Sequence, residues 1–197
     1  NRNPHQSIIR VATECFLKYG IKGTTMNIVA AGTGISKRTL YQCFPDKRDL
    51  LKTCMHNRFE ADLRTIRERI VGMGTLEAIL FLNRMAYDLF TAPYPAFCRD
   101  LVCSRDLTEF LRTEYREPLE AIAAMLLDRA KAEGVIAAEA DTGKSFSLFE
   151  KLLSSLEEEP CDDRERAAAF SYAVRICLAG LCTDRGREQL KNIHNNE

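Results

Sequence analysis

Three features of the sequence predict an all-α fold. Apolar residues recur at steps of three and four from end to end, and no segment alternates convincingly as a strand. Gly, Pro and capping residues fall at the ends of those periodic stretches. The 197 residues and 22.3 kDa suit one mid-sized domain or a small domain joined to a larger one, and 46% hydrophobic residues supply a core. No apolar run approaches the roughly 20 residues that span a bilayer. The polar residues 1–6 give no secretory signal. The chain is therefore expected to be soluble and cytoplasmic, with no membrane partner.

The elements follow in order. Asn3-Pro4 opens a first helix, because Pro is tolerated where a helical amide goes unpaired anyway. Ile8, Val11, Ala12, Cys15, Phe16 and Tyr19 form its apolar stripe, and Gly20 stops it. Thr25 caps a short second helix through residue 31. Gly32-Thr33-Gly34 reads as a tight turn, and Ser36 caps a third helix ending near Phe44. Pro45-Asp46 breaks the chain, and Asp46 with Asp49 starts a fourth helix over about 46–71. Gly72-Met73-Gly74-Thr75 is the clearest punctuation in the chain. A fifth helix covers about 76–90, Pro93 and Pro95 end it, and a short helix follows at about 96–104. A long helix is expected over about 107–133, bent at Pro118, which has no amide to donate. Asp141 or Thr142 caps a helix to about residue 156. The last helix starts after Asp162 and runs to about residue 193, and its alanines and Gly180 are expected to admit a close neighbour.

Net charge is zero but unevenly spread. Residues 1–70 hold 13 Lys/Arg against 6 Asp/Glu, and the remainder hold 15 against 22. A basic end on an acidic body suits an anionic partner. Eight cysteines are scattered without a C-x-x-C, five of them inside apolar stripes where a reduced thiol acts as a small hydrophobe. With only His5, His56 and His194 beside them, neither a metal site nor a disulfide framework is expected.

Function concentrates in residues 24–47. Two short helices joined through a glycine turn form a helix-turn-helix unit, whose second helix enters the major groove of DNA. On a helical wheel Lys37, Arg38, Tyr41 and Gln42 share one face, while Leu40 and Phe44 lie on the other and anchor the helix. Thr25 and Ser36 sit at helix starts, where hydroxyls and free amides reach phosphate. Lys47, at the start of the fourth helix, is placed for the same task. Gln42 suits adenine, and Lys37 or Arg38 suits guanine edges or neighbouring phosphates.

Thr25, Val29-Ala30, Gly34-Ile35-Ser36, Leu40-Tyr41, Phe44 and Lys47-Arg48-Asp49-Leu50 stand at the spacings of the DNA-binding head of TetR-family transcriptional regulators. Phe16 and Gly20 fit the end of that family's first helix, so the resemblance covers about residues 5–55. It implies a three-helix DNA-binding head over residues 1–50, with the fourth helix linking it to an effector-binding and dimerisation body over residues 51–197. It further implies a homodimer, commonly a repressor, that reads a palindromic double-stranded DNA operator and is released by a small-molecule effector. By position, Thr25, Ser36, Tyr41 and Lys47 resemble the family's phosphate contacts, and Lys37, Arg38, Thr39 and Gln42 its base-reading and groove-edge set. Two departures stand out. Gly32-Thr33 replaces a small Ala pair, which would loosen the end of the second helix, and Cys43 replaces an aromatic or His and reads as packing.

A pocket in the body is suggested by Phe81, Asn83, Tyr87, Phe90, Phe97, Phe110 and Tyr115, which suit an apolar or aromatic effector and read equally as plain core. The dimer surface is expected on the last two helices, through Phe146, Phe149, Leu153, Phe170, Val174, Leu178 and Leu181. The same residues would also serve their own body's core. Nothing suggests an enzyme or a cofactor. There is no clustered His, no paired carboxylates at a recognisable turn, and no strand ahead of Gly32-Thr33-Gly34 to make a dinucleotide loop. A helical protein–protein adaptor without DNA binding is the rival class, and the intact Lys37, Arg38, Tyr41 and Lys47 set argues against it.

Overall fold

The computed structural model describes residues 4–91, 95–144 and 163–195. Its helices among the described residues are α1 (Pro4–Gly23), α2 (Met26–Thr33), α3 (Lys37–Cys43), α4 (Lys47–Ile70), α5 (Thr75–Thr91), α6 (Pro95–Val102), α7 (Arg105–Leu111), α8 (Glu117–Ala132), α9 (Asp163–Leu181) and α10 (Asp184–Asn195). A π-helical turn, Arg112–Arg116, joins α7 to α8. Among the described residues the β structure is one isolated antiparallel bridge, Ile136 to Cys182.

Two compact units divide the chain, one formed by residues 1–65 with 93–118 and the other by residues 66–92 with 119–197. In the first unit α1 packs on α2 and on α6, and α2 packs on α3. Its core takes Ile8, Val11, Ala12 and Phe16 from the stripe read from the sequence, closed by Val29, Leu40, Leu50 and Phe59, whereas Cys15 of that stripe is only half-buried and Tyr19, near the end of α1, is exposed. Gly20 interrupts α1 at φ 77 and ψ 171, a left-handed backbone that an L side chain rarely adopts. A Cβ there would also stand 2.9 Å from Asp100 Oδ2 and 3.2 Å from the Ala96 Cβ, so α6 needs the bare glycine to approach. Phe59 lies 4.7 Å from Tyr115 and 6.5 Å from Phe110, ring centre to ring centre.

In the second unit α5 packs on α9 and α10. Leu76, Ile79, Leu82, Leu126, Val174 and Leu178 are buried there. Thr75, a buried hydroxyl, donates to Glu133 Oε2 at 2.6 Å, and Arg129 Nε donates to the other oxygen at 3.0 Å. Those two donors, Thr75 first, hold the Glu133 carboxyl below its usual range.

The chain departs from the sequence expectation in four places. Gly32 and Thr33 belong to α2 rather than to a turn, and Gly34 alone turns, at φ 69. A Cβ on Gly32 would meet Val11 Cγ1 at 2.8 Å, so that glycine serves the approach of α2 to α1. The long helix over 107–133 is interrupted. Pro118 cannot donate, and the ladder just before it widens into the π turn, with the Glu117 amide bonding back to Arg112 O. The last helix is also broken, at Cys182-Thr183, where the Thr183 amide turns to Val135 O at 3.1 Å and the Ala137 amide takes Leu181 O at 2.9 Å. The Thr183 hydroxyl then accepts from the Gly186 amide and starts α10. Close approach falls on Gly186, whose Cβ would collide with Val135 O, whereas a Cβ on Gly180 would meet open space. The helix expected to follow Asp141 is described only at its start, where Asp141 Oδ1 accepts from the Lys144 amide at 2.9 Å.

Candidate nucleic-acid interface

Local sequence rules build the recognition unit almost alone. Thr25, extended at φ −119 and ψ 157, accepts the Ile28 amide on its hydroxyl and caps α2. At the other end the Gly34 amide bonds Ala31 O and the Ile35 amide bonds Ala30 O, the paired closure that a left-handed glycine permits. Thr33 Oγ1 donates to Val29 O at 2.8 Å and Ala30 O at 3.0 Å, so the Gly32-Thr33 pair closes the end of α2 rather than loosening it. Ser36 then caps α3 by accepting the Thr39 amide at 3.1 Å, and its hydroxyl also pairs with that of Thr39 at 2.8 Å.

Seven residues make α3, and its two faces separate cleanly. Leu40 is fully buried and Phe44, its C-cap, nearly so. The His5 ring stacks on Phe44 at 4.7 Å. Lys37, Arg38, Tyr41 and Gln42 are exposed, Tyr41 at 43% despite its ring. Lys37 Nζ sits 5.9 Å from the centre of that ring, within reach of its negative face. Thr39 and Cys43 are half-buried. Thr25 and Ser36 are exposed at the two helix starts. This surface offers hydroxyls, amides, cations and one carboxamide, the groups that bind phosphate and base edges.

The start of α4 is different. Asp46 Oδ1 accepts the amides of Arg48 and Asp49 at 2.7 and 2.9 Å, which caps the helix. Lys47 is half-buried, and its Nζ donates to Ile21 O at 2.9 Å and Thr24 O at 3.0 Å. Arg48 and Lys52 converge on Asp106 of α7, Arg48 Nε at 2.8 Å and Lys52 Nζ at 3.2 Å. The hydrogen bond from Arg48 holds the Asp106 carboxyl below its usual range, and Lys52 adds to it. These partners lie far away in sequence, so spacing alone gave no sign of them. Asp100 was missed for the same reason, whereas the Thr24 bond is local, within the turn that ends α1. Thr24 is buried with its hydroxyl on Gly20 O at 2.8 Å, and Asp100 Oδ2 accepts the Lys22 amide at 2.8 Å.

The other candidate residues fall in both units. Phe97, Phe110 and Tyr115 belong to the first unit, and Phe81, Asn83, Tyr87 and Phe90 to the second. Tyr115 is fully buried against Phe59, a core position. Phe81 is capped by the Arg69 guanidinium at 4.4 Å, and Asn83 Nδ2 folds back onto Ile79 O at 2.7 Å. Nothing is described of the Tyr87 and Phe90 side chains. Of the expected dimer residues, Phe146, Phe149 and Leu153 lie outside the described residues. Phe170, Val174 and Leu178 are buried inside their own unit and Leu181 is half-buried. The large apolar residues that α9 leaves exposed are Tyr172, at 69%, and Ile176, at 55%, one helical turn apart.

The family model described as "Bacterial regulatory proteins, tetR family" matches residues 8–54, which span α1 to the first turns of α4. The HTH-type transcriptional regulator UidR of Escherichia coli (strain K12) is 24% identical over 186 residues, covering 89% of this chain and 91% of that regulator. A putative TetR-family regulator from Mesorhizobium loti MAFF303099 superposes at a TM-score of 0.70 and 19% identity, over 91% of this chain and 97% of that one. The transcriptional regulator FadR from Bacillus subtilis, solved with stearoyl-CoA, superposes at a TM-score of 0.65 and 14% identity, over 89% and 98% of the two chains. At such identities the superpositions speak for the fold, all-α with an N-terminal helix-turn-helix head.

Proposed function

The chain is a TetR-family DNA-binding transcriptional regulator, and from that premise we propose that it is a homodimeric repressor of a palindromic operator, released by a small effector. The observation that carries this reading is the division of α3, with Leu40 and Phe44 inside and Lys37, Arg38, Tyr41 and Gln42 outside. Gln42, Lys37 and Arg38 read base edges, Thr39 lines the groove edge, and Tyr41 with the capped starts at Thr25 and Ser36 grips phosphate. Residues 1–50 supply this head, and residues 51–197 supply effector binding and dimerisation.

Affinity is the physical argument for two heads. One head with a few phosphate contacts would bind at only about 10⁻⁴–10⁻⁶ M at physiological salt. A second head on the same body makes the next contact intramolecular. Tyr172 and Ile176 on α9 are the apolar pair best exposed for meeting a second copy. The effector is a small apolar or aromatic molecule held in the body, around α5 with Phe81, Asn83, Tyr87 and Phe90. In support, solved relatives carry ligands: FadR from Bacillus subtilis was solved with stearoyl-CoA, and a regulator from Saccharomonospora viridis with choline. No helix among the described residues is long and apolar enough to cross a membrane, and the reading places the repressor in the cytoplasm.

Selection of a randomised duplex pool on the purified protein tests the reading. The expected product is an inverted repeat, bound by a dimer and more weakly as salt rises. Recovery of no enriched duplex at low salt would overturn it.

A further inference from the structure

The helix-turn-helix unit begins where α1 ends and finishes where α4 starts, and one side chain ties those two places together. Lys47 Nζ donates to Ile21 O at 2.9 Å and Thr24 O at 3.0 Å, across 26 and 23 residues of sequence. Two of its three donors are thereby spent on protein carbonyls. The acceptors are well matched to a cation. Ile21 O lies in the last turn of α1, where carbonyls lack helical partners, and Thr24 O lies just beyond that helix.

Everything that faces DNA in the functional reading lies on the chain between those acceptors and Lys47. Thr24, whose carbonyl Lys47 holds, precedes the α2 cap Thr25, and Phe44-Pro45-Asp46 connects α3 to Lys47. The other cations at this end of α4 are also engaged, since Arg48 and Lys52 share Asp106. Lys37 and Arg38, by contrast, stand exposed on α3.

We propose that Lys47 is a positioning residue: its ammonium closes the helix-turn-helix into a ring through Ile21 O and Thr24 O, and it does not bind phosphate. The ring sets the angle between the start of α2 and α3, and so the register in which Thr25 and the α3 face meet a duplex. The inference rests on the DNA-binding reading above but assigns this lysine a role that the resemblance does not imply.

Salt dependence separates the two roles, because each phosphate contact contributes a slope of about 0.9 in log K against log salt. Binding of wild type and Lys47→Met to a duplex selected on the wild-type protein is measured across a salt series. The expected result is affinity lowered by roughly tenfold, the effect of losing charged hydrogen bonds, with the slope unchanged. A slope smaller by about two, one phosphate per head of a dimer, would overturn the proposal, as would unchanged affinity.

Should Lys47→Met fail to fold, amine acylation of the wild-type protein gives the answer. Lys47 is expected to react slowly with or without duplex, while Lys37 reacts readily until duplex is added. A Lys47 that reacts freely and is shielded only by duplex would overturn the ring. If the wild-type protein selects no duplex, the functional reading falls, and Lys47 acylation in the free protein still tests the ring alone.

Discussion

Gly20 occupies a backbone conformation that a side chain would strain, and it does so with α6 pressed against it. Gly20→Ala is expected to cost about 2–4 kcal/mol of stability, from strain and overpacking together, read from urea denaturation. An unchanged midpoint would mean that α6 can yield. Tyr41 is the opposite case, an exposed ring with the Lys37 ammonium 5.9 Å from its centre. Tyr41→Ala is expected to weaken duplex binding by roughly tenfold, one lost charged hydrogen bond to phosphate, while the melting curve stays in place. Cys54 has no part in either role. It is buried on α4, and burial pushes its thiol up to about 11 from 9.0. The folded state therefore favours the protonated thiol, and the stability this confers is complete below about pH 9 and lost as pH rises towards about 11. Because Cys15, Cys182 and Tyr115 are raised by burial in both proteins, the test is the difference: wild type should lose about 2–3 kcal/mol more than Cys54→Ala over that window when both are unfolded with urea at each pH.

The helices were legible wherever one residue decides a boundary. Thr25, Ser36 and Asp46 cap the helices that their positions announce, and Gly34 supplies the left-handed turn. Legibility failed where a boundary answers to a distant strip of chain. Thr183 sits at the end of an alanine-rich stripe and reads as a neutral helical residue, yet its amide and hydroxyl turn to Val135 O and Gly134 O. Pro118 announced a disturbance but not its form, because a π turn and a kink both relieve a missing donor. The α3 face could be read because its burial pattern is fixed within seven residues, whereas the engagement of Lys47, Arg48 and Lys52 required coordinates. The break between α9 and α10 also yields a test. Gly186→Ala forces a methyl into Val135 O, and a loss of about 3 kcal/mol or more is expected in thermal or urea unfolding. Tolerance of that alanine would show that α10 can shift away from the 134–137 turn.

For the assembled molecule the exposed face of α9 separates two effects that sequence alone confounded. Leu178 is 4% exposed inside its unit, so a charge there is expected to unfold the body. Ile176 is open, and Ile176→Glu is expected to yield a folded monomer in light-scattering mass measurements, with duplex affinity reduced by the lost second head. A dimer that survives Ile176→Glu would move the self-association surface elsewhere. The discontinuity of the first unit has a further consequence, for the order of events during synthesis. Its residues 1–65 leave the ribosome first, but α6, α7 and the π turn that cover Gly20 and Phe59 come only with residues 93–118. The nascent DNA reader must therefore wait, its flank uncovered, until translation has carried through the intervening stretch of the other unit. A gene fragment ending at residue 65 would strand it in that unfinished state.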